Sequence, residues 1–274
     1  MSRPSPTVTV MMDAARAAGR RLIRDFGEVE NLQVSRKGPS DFVSAADQKA
    51  EEIIRKSLEK TRPGYGFLLE EGGEVKGSDK THRFIIDPLD GTLNFLHGIP
   101  HFAVSIALER DGKLRAGVVF DPMRNEMFWA EEGAGAWLEN KRLRVASRKK
   151  LAEAVVTTGI PQLGVDGAEK FLDELTAVRA EVAAVRRFGS AALDLAWVAA
   201  GRFDGFWERG LSAWDIAAGF VLVQEAGGMI LGLDRKDAIK GSFVASNTSL
   251  AQKLAERIEG KVPKKTAHRL LRPE

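Results

Sequence analysis

Asp87 and Asp90, separated only by Pro88 and Leu89, close an apolar run and are followed at once by Gly91 and Thr92. Carboxylates held at a strand end offer the hard oxygen ligands that Mg2+ and similar cations prefer. Glycine lets a backbone approach a ligand closely, and a residue such as Thr92 can open a helix whose free N–H groups hold an anion. Metal and phosphate would then meet at one place. The element that must carry these groups is Arg83–Ile86, which reads as a short buried strand, and Pro88 and Gly91 predict a turn directly after it. Taken alone, the motif is also open to a simpler reading, an aspartate-rich turn after a strand.

Three further segments bear on that choice. Asp41-Phe42-Val43-Ser44-Ala45-Ala46-Asp47 lies upstream, Glu70-Glu71-Gly72-Gly73 follows the apolar Phe67-Leu68-Leu69, and Trp214-Asp215-Ile216-Ala217-Ala218-Gly219 lies far downstream. Together with Asp87–Thr92, and in this order, they resemble the inositol monophosphatase family of Mg2+-dependent, lithium-sensitive sugar phosphatases. The resemblance runs from about Val8 to about Ile258, nearly the whole chain. The haloacid-dehalogenase phosphatases, which use a phospho-aspartate, are excluded: they place one residue between their aspartates, and here two intervene. Two departures from the family pattern are minor. Ser44 stands where threonine is commoner, and Arg36-Lys37 stands where a single lysine is usual.

The resemblance implies a set of roles. Glu70 and Asp87 with the Leu89 carbonyl would hold one Mg2+, and Asp87, Asp90 and Asp215 a second; a third ion is also compatible with the family. Asp47 would accept the Thr92 hydroxyl proton and so orient that oxygen toward the attacking water, making Asp47, Thr92 and Glu70 the catalytic group, without a covalent intermediate. Backbone N–H groups of Gly91, Thr92 and Leu93, beside Asp90 and Asp215, would receive the phosphate. Gly189, Ala191 and Glu208 would contact inositol hydroxyls. The residue types themselves leave alternatives open. Glu208 could pair with Arg187 or Arg209, and Asp215 could be a helix N-terminal acid favoured by the dipole.

The expected activity is hydrolysis of myo-inositol 1-phosphate by in-line attack of water. Fructose-1,6-bisphosphate, histidinol phosphate and adenosine 3',5'-bisphosphate are alternative substrates, because phosphatases for them share such a metal core. An accessory role in an RNA or transcription complex is a further alternative. The resemblance also implies a homodimer.

Composition limits the field. At 274 residues, with 44% hydrophobic and 29% charged, the chain is globular. The absence of cysteine excludes a disulfide framework, a thiolate nucleophile and a cysteine zinc site. His97 and His101 have zinc-helix spacing, but Gly98 and Pro100 interrupt it. Met1–Pro6 lacks an apolar signal core and no apolar stretch is long enough to cross a membrane, which is compatible with the cytoplasm. The net charge of +3 belongs to the tail, where Lys261, Lys264, Lys265, Arg269 and Arg272 face Glu274 alone. Such a tail reads as a solvated, flexible terminus.

Periodicity supplies the elements. Val8–Phe26 and Ala45–Leu58 read as amphipathic helices, and Arg83–Ile86, Ala103–Glu109, Leu114–Phe120, Glu126–Ala130 and Ala134–Leu138 as strands of a largely antiparallel sheet. Beyond about Ala146, strands at Ala154–Thr158, Glu181–Arg186, Phe203–Trp207, Met229–Leu231 and Phe243–Ala245 alternate with helices at Gly167–Val178, Ser190–Ala200, Trp214–Ala226 and Thr248–Ile258. The fold class is therefore mixed α+β and α/β. An N-terminal subdomain (1–145) would carry most metal ligands, and a C-terminal α/β subdomain (146–260) would complete the site before a basic tail (261–274). The stacking of these layers as an α-β-α-β-α sandwich is implied by the resemblance.

Overall fold

The structure is a computed structural model and describes residues 3–28, 34–36, 42–161 and 167–260, with only the backbone described for 34–36 and 42–44. Lys37–Ser40, Asp41 and the basic tail 261–274 lie outside the described residues, as do the Arg36 and Ser44 side chains.

The first helix, α1 (Pro6–Phe26), starts where Ser5 accepts the Val8 N–H at 3.2 Å and proline occupies the first turn, where its missing N–H costs nothing. Val8, Met11, Met12, Ala15, Ala18 and Leu22 recur at helical spacing, so one face is buried. Beside it α2 (Ala45–Thr61) buries Ala46, Ala50, Ile54 and Leu58. A small hairpin, β1 (Val34–Arg36) and β2 (Phe42–Ser44), precedes α2.

Both helices cover one face of an eight-stranded sheet. Its strands are β3 (Gly66–Leu69), β4 (Gly73–Val75), β5 (His82–Asp90), β6 (Ala103–Arg110), β7 (Lys113–Asp121), β8 (Glu126–Glu131), β9 (Gly135–Leu138) and β10 (Lys141–Arg142). Their spatial order is β10-β9-β8-β7-β6-β5-β3-β4, and every pair is antiparallel except β3 with β5. The turn between β6 and β7 falls at Asp111-Gly112, both at positive φ, as such a dipeptide predicts.

The smaller sheet has five strands, β11 (Val155–Thr158), β12 (Ala184–Arg186), β13 (Gly205–Glu208), β14 (Gly228–Gly232) and β15 (Phe243–Asn247), in the order β12-β11-β13-β15-β14. The first three are parallel and β15 runs antiparallel to both its neighbours. Between the sheets lie α5 (Ala191–Ala199) and α6 (Ala213–Glu225), buried nearly all round, as a helix sandwiched by two sheets must be. Helices α4 (Ala168–Arg179) and α7 (Ala251–Ile258) cover the outer face. The layers therefore stack α-β-α-β-α.

One difference from the sequence reading matters for the site. No turn follows Ile86; β5 continues to Asp90, and its register against β6 shifts between Asp87 and Asp90. Pro88 lacks an N–H for the ladder and is accommodated at this irregularity, where pairing is already interrupted. The reversal falls at Gly91, with φ of 92°, before the single-turn helix α3 (Thr92–Leu96). The strands β1, β2, β4 and β10 are two or three residues long, too short for alternation to reveal them.

Candidate active site

A cavity of about 480 Å3 opens where the ends of β3, β5 and β13 meet the first turns of α3, α5 and α6. Glu70 lies just past the end of β3. The turn after it is held by Glu51, buried on α2, which accepts the Glu71 N–H at 2.9 Å. Asp47, buried in the first turn of α2, brings one carboxylate oxygen within 4.8 Å of oxygens from Glu70 and Glu71. A second trio, Asp87, Asp90 and Asp215, meets the same limit. Two acidic trios therefore stand at the site, and Glu71, beside the expected Glu70, belongs to the first. The trios adjoin: among charges, Glu70 acts most strongly on Asp87.

Each member of the second trio is fixed by a backbone donor. Asp87 Oδ1 accepts the Leu89 N–H at 2.9 Å, which shapes the bulge. Asp90 Oδ2 accepts the Ser190 hydroxyl and the Ala192 N–H (2.9 Å), and Oδ1 accepts the Ala191 N–H (3.3 Å). Asp215 Oδ2 accepts the Ser212 N–H at 2.7 Å, so it does serve as an N-terminal acid of α6 while also standing in the cluster. The start of α6 is tied to β6, because the Ser105 hydroxyl donates to the Trp214 carbonyl at 3.3 Å.

Burial, then the charges of Glu70, Asp90, Asp215 and Asp47, push the Asp87 carboxyl well above the usual carboxylate range. Burial raises Asp90 to about 6 against its hydrogen bonds from Ser190, Ala192 and Ala191. Burial and Asp90 raise Asp215 to about 8. Several carboxyls buried side by side are costly unless a cation joins them. The donors are all oxygen, and neither trio contains histidine, so the set fits a hard divalent ion.

Thr92 opens α3, and its hydroxyl lies 2.9 Å from the Leu89 carbonyl and 3.5 Å from Asp47 Oδ2. Gly91 must be glycine here: besides its positive φ, a Cβ would meet the His101 and Gly189 carbonyls at 3.1 and 3.2 Å. Leu93 sits exposed at the rim. Asn94, buried behind it, donates to the His101 and Phe188 carbonyls at 2.8 Å each and so joins α3 to the loop before α5.

Gly189, Ala191 and Glu208 line the same cavity. Glu208 is half-buried and raised to about 8, chiefly by desolvation, then by Asp215 and Asp90, with Arg187 opposing. Its carboxylate rests on Gly159, where a Cβ would come within 1.8 Å of Glu208 Oε1. The alternative pairing with Arg209 is overturned, since Arg209 binds Glu174 at 2.6 Å and Asp234 at 2.8 Å.

Sequence reasoning passed over Ser190, Asn94 and Asp194. Asp194 had a visible signal, a lone carboxylate inside Ala191-Ala192-Leu193-Asp194-Leu195-Ala196. His101 is buried between Phe188 and Trp197, and burial lowers it to about 4; it joins neither trio.

A five-layer sandwich with an all-oxygen cluster at a cavity between its sheets is the framework of a metal-dependent phosphatase. The profile of the inositol monophosphatase family matches residues 3–264. An inositol-1-monophosphatase of Rhizobium meliloti is 57% identical over 263 residues, covering 95% of this chain and 99% of that protein. The crystal structure of extragenic suppressor protein suhB from Bartonella henselae superposes with a TM-score of 0.92 at 53% identity, covering 94% of this chain and 100% of that one. The Nus factor SuhB of Pseudomonas aeruginosa is 42% identical over 264 residues, covering 94% of this chain and 97% of that protein. The chain belongs to the inositol monophosphatase family.

Proposed function

We propose that the chain hydrolyses phosphate monoesters of polyols, myo-inositol 1-phosphate foremost, with Mg2+ as cofactor. The observation that carries this reading is the convergence of Asp87, Asp90 and Asp215 within 4.8 Å from strand and helix ends far apart in sequence. The names of relatives such as the Rhizobium meliloti protein support the substrate.

Glu70, Asp87, the Leu89 carbonyl, Asp90 and Asp215 would hold two ions, with Asp87 shared, and the trio of Asp47, Glu70 and Glu71 leaves room for a third. When bound, such ions make a water more acidic and stabilise charge on the leaving oxygen. The Thr92 hydroxyl has two acceptors in reach, Asp47 and the Leu89 carbonyl. With its proton donated to one of these, its lone pairs remain to accept a hydrogen bond from the attacking water and so orient it. The N–H groups of Gly91, Thr92 and Leu93 receive the phosphate. Glu208, with Gly189 and Ala191, receives the polyol, a carboxylate being able to accept two hydrogen bonds at once.

In this reading residues 1–145 and 146–260 act as two subdomains closing on the cavity. We extend it to a cytoplasmic homodimer inhibited by Li+. Among the described residues no helix is long and apolar enough to cross a membrane. The test is a panel of phosphate monoesters assayed with Mg2+ and with excess chelator. Turnover that survives chelation sinks the metal mechanism, and preference for another sugar phosphate replaces the substrate. The relatives named Nus factor SuhB favour a second role, accessory to transcription. Failure of the purified protein to bind RNA polymerase or RNA in a gel-shift experiment would remove it.

A further inference from the structure

Helix α5 is apolar almost throughout, and its residues Ala192, Leu193, Leu195 and Ala196 are buried in the core between the sheets. Asp194 is the exception. It is 2% exposed, lines the cavity, and its Oδ1 has no hydrogen-bond partner among the described residues. A buried carboxyl oxygen without a partner carries a free-energy cost that alanine or leucine would avoid. The helix itself does not need this side chain, because Ser190 caps it and the Asp194 N–H already bonds to the Ser190 carbonyl.

The surroundings indicate what the carboxyl faces. After burial, the charge that acts on it most is Glu208, with Asp90 weaker; the hydroxyl of Thr157, close enough to favour the ionised carboxyl by hydrogen bonding, and the charge of Arg187 oppose the resulting upward push. Asp194 therefore stands in reach of Glu208 and Arg187, which line the same cavity. Glu208 is held there by Gly159, and α5 is held by Asp90 at its first turn. Two carboxyl groups are thus fixed on rigid elements beside one guanidinium. Every hydroxyl of a polyol can donate and accept, so neighbouring hydroxyls can satisfy both carboxyls together.

We propose that Asp194 is a second hydroxyl-reading group which, with Glu208, selects phosphate esters that carry neighbouring hydroxyls near the ester oxygen. This rests on the polyol reading given above and narrows it. A site whose buried polar groups expect hydroxyls rejects an analogue without them, because those groups are left unpaired.

The test compares kcat/KM for myo-inositol 1-phosphate and 4-nitrophenyl phosphate in the wild type, Asp194→Ala and Asp194→Asn. In Asp194→Ala the ratio of the two should fall about tenfold, mainly through KM of the inositol ester, the scale of one lost hydrogen bond. Asp194→Asn keeps the shape and should show a smaller fall in the same direction. The melting temperature of Asp194→Ala without substrate should be no lower than that of the wild type, since an unpaired polar group has been removed. Equal losses on both esters, an unchanged ratio in both variants, or a failure of Asp194→Ala to fold would each overturn the proposal. If the wild type cleaves the aryl ester but not the inositol ester, the polyol reading itself falls, and this proposal with it. An unchanged ratio on an active inositol phosphatase removes Asp194 alone.

Discussion

Asp90 and Ser190, one hundred residues apart, are joined by a hydrogen bond from the serine hydroxyl to the aspartate carboxylate. The same oxygen accepts the Ala192 N–H, so a carboxylate on a strand of the large sheet caps helix α5, which lines the cavity. A change on either side is therefore felt on both. Ser190 also accepts the Leu193 N–H at 3.4 Å as the helix cap.

Ser190→Ala removes that cap and the donor to Asp90 together. It should destabilise the protein by about 1–2 kcal/mol, the usual cost of losing a cap and a buried hydrogen bond. Denaturant unfolding measures this directly. It should also weaken Mg2+ binding, because Asp90 then keeps only the Ala191 and Ala192 N–H groups to hold it. Unchanged stability would mean that the bond between the two residues contributes nothing in solution.

Asp215→Asn separates the two effects of a buried carboxylate cluster. Without metal, near neutral pH, the variant should melt at a higher temperature than the wild type, since folding no longer has to protonate a carboxyl raised to about 8. With Mg2+ the order should reverse, and turnover should drop by more than about 100-fold, the scale of losing one preorganised stabilising group. Melting curves with and without Mg2+ test both halves.

Gly159→Ala places a methyl where the Glu208 carboxylate now rests. The backbone there needs no positive φ, so the fold should survive, while Glu208 must move. Selectivity for an inositol ester over an aryl ester should fall by about tenfold, and Glu208→Gln should fall in the same direction. Intact selectivity in both variants would show that Glu208 reads no hydroxyl.

The metal-free protein should lose stability as pH rises. Asp90, Glu208 and Asp215 are raised in the fold to about 6, 8 and 8. In the unfolded chain such groups ionise near pH 4. Between about pH 4 and 8 the folded state therefore binds more protons than the unfolded one, and each added unit of pH favours unfolding. Mg2+ should cancel this slope, stabilising the protein more at pH 8 than at pH 5. A metal-free melting temperature that climbs over this range would contradict the clustering of charge.

The chain's family and its layered fold class were legible in the sequence, and for a physical reason. Helical spacing in Val8–Leu22 and alternation in Leu114–Phe120 are local signals, and the acidic motifs are short runs whose residue types are tied to one chemistry. Four segments spread over the chain could thus be read as parts of one site, and the structure brings Glu70, Asp87, Asp90, Thr92 and Asp215 to one cavity. What tertiary structure alone decided are relationships between distant residues. The bulge that carries β5 through Pro88 exists because β6 tolerates a register shift there. Glu70 is grouped with Asp47 and Glu71 because Glu51 on α2 holds the turn beyond β3. Arg209 is drawn away from Glu208 by Glu174 and Asp234 on other elements. Asp194 reads in the sequence as one polar residue in an apolar helix. Only the packing of α5 between two sheets turns it into a buried carboxyl lining the cavity, because burial and neighbouring charge are properties of the folded chain.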